Sequence, residues 1–418
     1  MRIKVPYGKD EIEVAIDEAN VAGIVEANDV PVTDESETIR KAIEKPINAK
    51  SFHDFLSDAK DVLFIVNDAT RPTPTARVLE ILFALIKPFD MSKIKFIIAT
   101  GAHRAPTDEE YWQIFGEYYE EFRSRIYAHD ARAKKDMVFI GKSRNGTEMY
   151  VNKLGMEAHK IVIISSVEPH YTAGYTGGRK SFLPGIAAYK TIEQNHGFIM
   201  SPKSKTLVLE GNPMHEDMVD ALGIIRDKEI FTINTVLDRN HRVYATTAGH
   251  IVDSFLAATV KAKEVFAVKI KEKADIVVSV AGFPMDIDLY QSQKALENGK
   301  LALREGGVLI LVSKCRCGIG DETFTRLLCA CNTPEEAFKK INEGYVLGYH
   351  KAAKIAEIST WAEMYGVTEL PDELLRSIFF TPFSSLQEAL DHALSKKGGN
   401  AKVLFLLDGT MTVPILDQ

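Results

Sequence analysis

Three histidines and one lysine stand out by what surrounds them. His103 follows Ala99-Thr100-Gly101-Ala102 and precedes Arg104. His170 follows Glu168-Pro169. Ten residues on, Lys180 comes behind Gly177-Gly178-Arg179 and ahead of Ser181, and His196 follows Gln194-Asn195. An unperturbed imidazole titrates near ~6.5, so a histidine in a cleft can take or give a proton at neutral pH. Two of them, His103 and His170, are what a reaction needs when a proton acceptor must stand on either face of a substrate. The plainer account of each is a loop histidine satisfied by backbone. The glycine pair lets a backbone approach a ligand closely. Lys180 then offers a point charge or an amine nucleophile; a solvated basic turn is the plainer account. His196 read alone is a surface histidine, and His215, in Pro213-Met214-His215-Glu216, is expected to be structural.

Several standard chemistries are excluded. The lysine segment lacks the G-x-x-x-x-G-K-[ST] spacing of a phosphate-binding loop, and no G-x-G-x-x-G follows a strand, so free NAD is not supported. No G-x-S-x-G elbow is present, which counts against serine hydrolysis. A second polar loop, Asp68-Ala69-Thr70-Arg71-Pro72-Thr73-Pro74, places a carboxylate, hydroxyls and a guanidinium at the start of a helix. Helix N-termini attract phosphate, and arginine binds it through a bidentate fork. The competing account is a helix-start loop capped by Asp68 or Thr70. A third group, Tyr290, Gln291 and Lys294, follows Gly282-Phe283-Pro284-Met285-Asp286.

The elements that must position these residues are legible as short apolar runs at 61–66, 93–100, 159–166, 274–280, 307–313 and 402–407. They are rich in Val and Ile, as parallel strands covered on both faces are. Thr107-Asp108-Glu109-Glu110 is a capping box opening a helix through about Phe122, and Thr333-Pro334-Glu335-Glu336 opens another. Hairpins are expected around Arg144-Asn145-Gly146 and Asp238-Arg239-Asn240. Strands alternating with helices indicate an α/β fold with mostly parallel sheets flanked by helices. The polar loops follow strands, and the carboxyl edge of an open α/β sheet is where ligands bind. The expected division is residues 1–268 as a cofactor-binding domain and 269–418 as a second α/β domain. The active site is expected in the cleft between them, with the last residues packing back on the first domain.

A chain of 418 residues, 45% of them hydrophobic, is long enough for two cores. The net charge of −7 and the lack of a basic stripe argue against nucleic acid as a partner. No apolar stretch is long enough for a membrane helix, and the first residues alternate like a strand rather than a signal peptide, so a cytoplasmic protein is expected. Cys315, Cys317, Cys329 and Cys331 form two C-x-C pairs, tighter than usual zinc spacing, and are expected to be reduced thiols.

The specific stretches are D-x-T-R-P (68–72), A-T-G-x-H-R (99–104), H-x-x-A-G-x-x-G-G-R-K-S-x-L-P-G-I-A-x-Y-K-T-I (170–192), His196 and Y-Q-x-x-K (290–294). With these the chain resembles the lactate racemase family over nearly its whole length. The resemblance implies a nickel-pincer nucleotide, a modified pyridinium mononucleotide tethered to Lys180 through a thioamide, with His196 as the protein ligand to nickel. Square-planar nickel suits imidazole and soft sulfur. Asp68, Thr70, Arg71, Gly177, Gly178, Arg179 and Ser181 would hold the nucleotide. The resemblance further implies that His103 or His170 removes the hydroxyl proton of a 2-hydroxy acid while the C2 hydrogen leaves as hydride. The 2-oxo acid turns and is reduced on its other face, and the second histidine returns the proton. Arg71 and Lys294 would hold the carboxylate, with Tyr290 and Gln291 in support. Other proteins make the cofactor and are implied as partners. The chain departs from lactate-racemising members at Tyr171 and Thr172, where those carry two phenylalanines, and at His350, where they carry tryptophan. This predicts a pocket more polar than a methyl group requires. Two rivals make distinct predictions. A pyridoxal-phosphate enzyme using Lys180 would show an aldimine absorbance and no nickel. A non-catalytic binding protein would leave the paired histidines without a use.

Overall fold

The computed structural model describes residues 1–417, which fold as two compact units. One is continuous, Asp29–Val265; the other joins Met1–Asn28 to the chain from Phe266 onward.

The continuous unit is built on a six-stranded sheet. Its order across the sheet is Val243–Gly249, Glu229–Leu237, Lys160–Ser166, Val62–Asn67, Ile94–Ala99, Ile126–Ala128. All neighbours are parallel except the first pair, the expected hairpin at Asp238. Strands buried on both faces are apolar along most of their length, and successive side chains point to opposite sides. Accordingly Val62, Phe64, Val66, Phe96 and Ile98 enter one core, and Leu63, Ile65, Ile97, Ile161 and Ile163 enter another. Counted along the chain, Val62–Asn67 is the first strand of the sheet and Lys160–Ser166 the fourth, and the two are neighbours. Strand order reverses there. The loops leaving these two carboxyl ends diverge, which opens the crevice where doubly wound sheets bind ligands.

The expected helix from Thr107 is shorter than its pattern. The capping box forms with both of its bonds, but the helix ends at Phe115 because Gly116 takes φ 54°, and a separate turn covers Tyr118–Phe122. The hairpin at Asn145 joins Met137–Lys142 to Glu148–Asn152.

The second unit carries six parallel strands in the order Phe380–Pro382, Glu363–Val367, Leu303–Val312, Ala274–Val280, Val403–Leu406, Val21–Val25. The structure departs here from the 1–268 and 269–418 division. Val21–Val25 pairs with Val403–Leu406, so the first 28 residues complete this unit rather than the other. Val413–Leu416 pairs with Ala267–Ile270 inside the same unit. The four cysteines are free thiols, Cys315 and Cys331 buried. Among the described residues no helix is long and apolar enough to cross a membrane.

Candidate active site

Three adjacent strands deliver the polar loops. Val62–Asn67 is central, with Ile94–Ala99 on one side and Lys160–Ser166 on the other, in registers that align their ends. Asp68 therefore leaves the sheet between His103 and His170.

Asp68 is buried and accepts from three groups. Its Oδ2 is 2.7 Å from His103 Nδ1, and its Oδ1 takes the Thr70 hydroxyl at 2.6 Å and the Thr70 N–H at 3.2 Å. Burial would raise its pKa. The His103 hydrogen bond and charge, the Thr70 hydroxyl and the Arg71 charge outweigh that and leave it below the usual carboxylate range. Asp68 is thus an anion that orients His103, and Thr70 serves Asp68. Both were expected on the nucleotide; the geometry ties them to the histidine. The helix Thr75–Leu85 that follows has no side-chain cap, and its Thr75 N–H donates to Thr73 O at 2.8 Å.

His170 sits in a two-residue strand paired with Gly174–Tyr175, and Tyr171 stacks on it at 5.0 Å. Its Nε2 stands 3.3 Å from Lys180 Nζ. Lys180 lies in a 3-10 turn, Gly178–Ser181, whose shape is fixed from below. Gly177 has φ 84°, and a Cβ there would come within 2.5 Å of Val167 Cγ2 and 2.9 Å of Ser166 O. At Gly178, with φ 50°, a Cβ would meet Phe255 at 3.0 Å. The Gly178 N–H donates to Ser165 Oγ, which bonds Asn234. The glycines therefore allow the turn to lie against the strand end and the helix Ile251–Phe266. Approach by a ligand is not what demands them.

Arg179 also differs from expectation. It is 1% exposed. Its Nη1 donates to Thr176 O and Gly177 O, its Nη2 to Ala173 O, and its Nε to His215 Nδ1 at 3.0 Å; the guanidinium stacks 4.0 Å over Phe255. It clamps the turn from within. Ser181 is likewise buried. Burial, then the Arg179 charge, hold the His215 pKa down at about 3. An unfolded chain would protonate this histidine near ~6.5, so below that pH the unfolded state binds the extra proton. The stabilising contribution is complete above that pH and is lost as pH falls toward about 3. Thermal melts from neutral pH to pH ~5 are expected to show falling stability, at most about 1.4 kcal/mol per pH unit from this one group. His215→Gln, which keeps an acceptor for Arg179, is expected to flatten that slope; an unchanged slope would refute the assignment.

His196, half-buried, lies on the helix Tyr189–Gly197. Its Nδ1 donates to Ile192 O at 2.9 Å, so the ring's lone pair is on Nε2. Burial first, then the Lys180 charge and His103, press its pKa well below the imidazole range, so the ring is neutral. The helix is anchored by Asn195, which donates to Asp217 Oδ2 at 2.9 Å; Asp217 also takes the Ser143 and Thr147 hydroxyls. Among the described residues no cluster of three or more His, Cys, Asp or Glu could hold a metal. A metal on His196 thus needs its other ligands from a bound group. A lysine whose charge reaches a neutral imidazole fits a tethered group that carries such ligands.

In the second unit the helix Leu289–Gly299 follows the strand Ala274–Val280, with Asp288 capping it through the Gln291 N–H at 2.7 Å. Tyr290 and Lys294 are one turn apart and share a face. Tyr290 packs edge-on against His350 at 6.3 Å. His350 is buried, its Nδ1 accepting from the Gly348 N–H and bonded to the Tyr345 hydroxyl. Sequence reasoning missed two buried groups. Lys351 Nζ donates to Tyr290 O at 2.8 Å and lies 4.4 Å over the Tyr290 ring; burial, opposed by Glu297 and Asp288, lowers its pKa to about 7. The other is Asp217. Both had a signal. Lys351 shares a stripe with Ile355 and Ile358, and Asp217 one with Met214, Met218 and Ala221, the spacing of a buried helix face.

Family models agree with this geometry. The lactate racemase N-terminal domain matches residues 7–207 and the lactate racemase C-terminal domain residues 269–413. The chain is 32% identical to the lactate racemase of Thermoanaerobacterium thermosaccharolyticum, over 98% of each chain. It is 31% identical to that of Lactiplantibacillus plantarum, over 97% of this chain and 98% of that one. The solved lactate racemase apoprotein from Thermoanaerobacterium thermosaccharolyticum superposes with a TM-score of 0.93 at 32% identity, covering all of both chains. The chain belongs to the lactate racemase family and is an enzyme of the isomerase class.

Proposed function

We propose that the chain racemises or epimerises a 2-hydroxy acid, with His103 and His170 handling the hydroxyl proton on opposite faces. The observation that carries this reading is the gathering of four residues from separate elements of one unit. Lys180 Nζ is 3.3 Å from His170 Nε2, and the charges of Lys180 and His103 both act on His196. A nickel-pincer nucleotide tethered to Lys180 and ligated by His196 supplies, when bound, an acceptor and donor of the C2 hydride. The protein does the rest. Asp68 keeps His103 oriented and stabilises its charged form once it has taken a proton. Arg71 is assigned to the substrate carboxylate, because a cation suits an anion. In the second unit Lys351 holds the first turn of the helix that carries Tyr290, Gln291 and Lys294. Proteins that make the cofactor are implied partners.

The substrate side chain is assigned as larger or more polar than methyl. The Thr172 hydroxyl is turned onto His170 Nδ1 at 3.2 Å, which removes it from the polar lining expected from sequence. Tyr171, stacked on His170, remains to carry the difference. A polar group buried against a bare methyl is left unpaired at roughly 1–3 kcal/mol, about tenfold in rate. Comparing kcat/KM for lactate, malate and an aromatic hydroxy acid on nickel-loaded enzyme is the test. Malate or the aromatic acid is expected to lead; a clear preference for lactate would refute the substrate assignment.

A further inference from the structure

Three elements that carry functional groups converge on the start of one helix. Pro213–Ile224 begins with Asn212 at its N-cap and a proline at its first position, both strong start signals. Asn212 Oδ1 accepts from the Met214 N–H at 3.1 Å and the His215 N–H at 3.4 Å. Its Nδ2 donates to Thr172 O at 2.8 Å, in the turn that follows His170. His215 Nδ1 accepts from Arg179 Nε at 3.0 Å, and Arg179 stands next to Lys180. Asp217 Oδ2 accepts from Asn195 Nδ2 at 2.9 Å, and Asn195 stands next to His196. At a rise of ~1.5 Å per residue, 212 to 217 cover about 7.5 Å of rigid helix. One stiff element therefore ties together three stretches of chain whose mutual placement none of them fixes alone.

These links lie where water cannot replace them. Asn195, Asn212 and Asp217 are all 0% exposed. Asn195 Nδ2 also donates to Met214 O of the same helix at 3.2 Å, while its Oδ1 has no partner among the described residues. A buried carbonyl left unpaired costs free energy, so an apolar residue would serve stability better at this position. What the amide holds accounts for the asparagine.

We propose that residues 212–217 are a positioning element of the active site, with Asn212 setting His170, His215 setting Lys180, and Asp217, through Asn195, setting His196. The inference rests on the roles of those three residues in the proposed function and adds that each is set by its own link, so each role can be lost alone.

The test uses the full chain made together with the cofactor pathway. It reads the adduct mass, the nickel per adduct, and the racemisation of whichever hydroxy acid is turned over best. Asn212→Ser keeps a capping hydroxyl but is too short to hold Thr172 O. It should keep adduct and nickel and lower kcat by about tenfold with KM little changed, since misplacing a reacting group costs rate rather than binding. His215→Ala should lower the fraction of chains that carry the adduct, and His215→Gln, which keeps an acceptor for Arg179, should restore it. Asn195→Ala, a good helix former, should keep the adduct but release nickel to a chelator about tenfold faster. Leu222→Ala, in the core on the same helix, is the control: it should lower the melting temperature and leave all three readings unchanged. Should one variant fail to fold, the other two decide. Losses that appear together in every variant, and in Leu222→Ala as well, overturn the proposal, as do wild-type readings in the variants. A wild-type chain that takes up neither adduct nor nickel overturns instead the proposed function, and this inference with it.

Discussion

Replacing Lys180 with alanine is expected to abolish both covalent cofactor attachment and racemisation. The lysine amine is the attachment point in the proposed function, and the variant retains the loop that carries it. The Lys180 N–H still donates to Gly177 O at 3.1 Å, and its carbonyl still accepts from Gly185 at 2.9 Å. The clamp formed by Arg179 does not involve the Lys180 side chain. Intact mass and nickel analysis of protein made together with the cofactor pathway read the outcome directly. Wild type should show the adduct mass and nickel, and the variant neither. An unchanged adduct in Lys180→Ala would sink the assignment. An aldimine absorbance without nickel in the wild type would favour the pyridoxal-phosphate alternative.

His103→Ala and His170→Ala are each expected to slow racemisation by about 10²–10⁴-fold, the usual cost of losing one acid or base, while keeping the adduct and its nickel. The nickel ligand, His196, is on a different element, and its anchoring through Asn195 and Asp217 uses neither of the other histidines. His103→Ala also strips a buried carboxylate of its closest partner, so the Asp68 pKa should rise in that variant. Full turnover in a chain lacking both histidines would eliminate them as the acid and base. Loss of nickel together with activity would instead assign them to holding the cofactor.

The strands were legible in the sequence, because parallel strands buried on both faces are apolar along most of their length. Val62–Asn67, Ile94–Ala99 and Lys160–Ser166 are accordingly visible as runs. The loop residues that follow them were legible for the same reason: polar, titratable groups after an apolar run stand at a sheet edge. The helix from Thr107 was legible at its start, where a capping box is local chemistry. It was not legible at its end, where a positive φ at Gly116 stops it. The membership of residues 1–28 could not be read, since Val21–Val25 is a strand only by virtue of pairing with Val403–Leu406, nearly four hundred residues away. The same limit applied to individual roles. In sequence, Gly177, Gly178 and Arg179 look like a ligand cradle. Only the folded chain turns them inward, because Val167, Phe255 and His215 come from three other places to meet them. Asp68 and Thr172 read as loop residues until tertiary structure brings each beside a histidine ring nitrogen. Residue types are fixed by local sequence, but the proton-bearing nitrogen of a histidine is fixed by whichever donor or acceptor the fold sets opposite it.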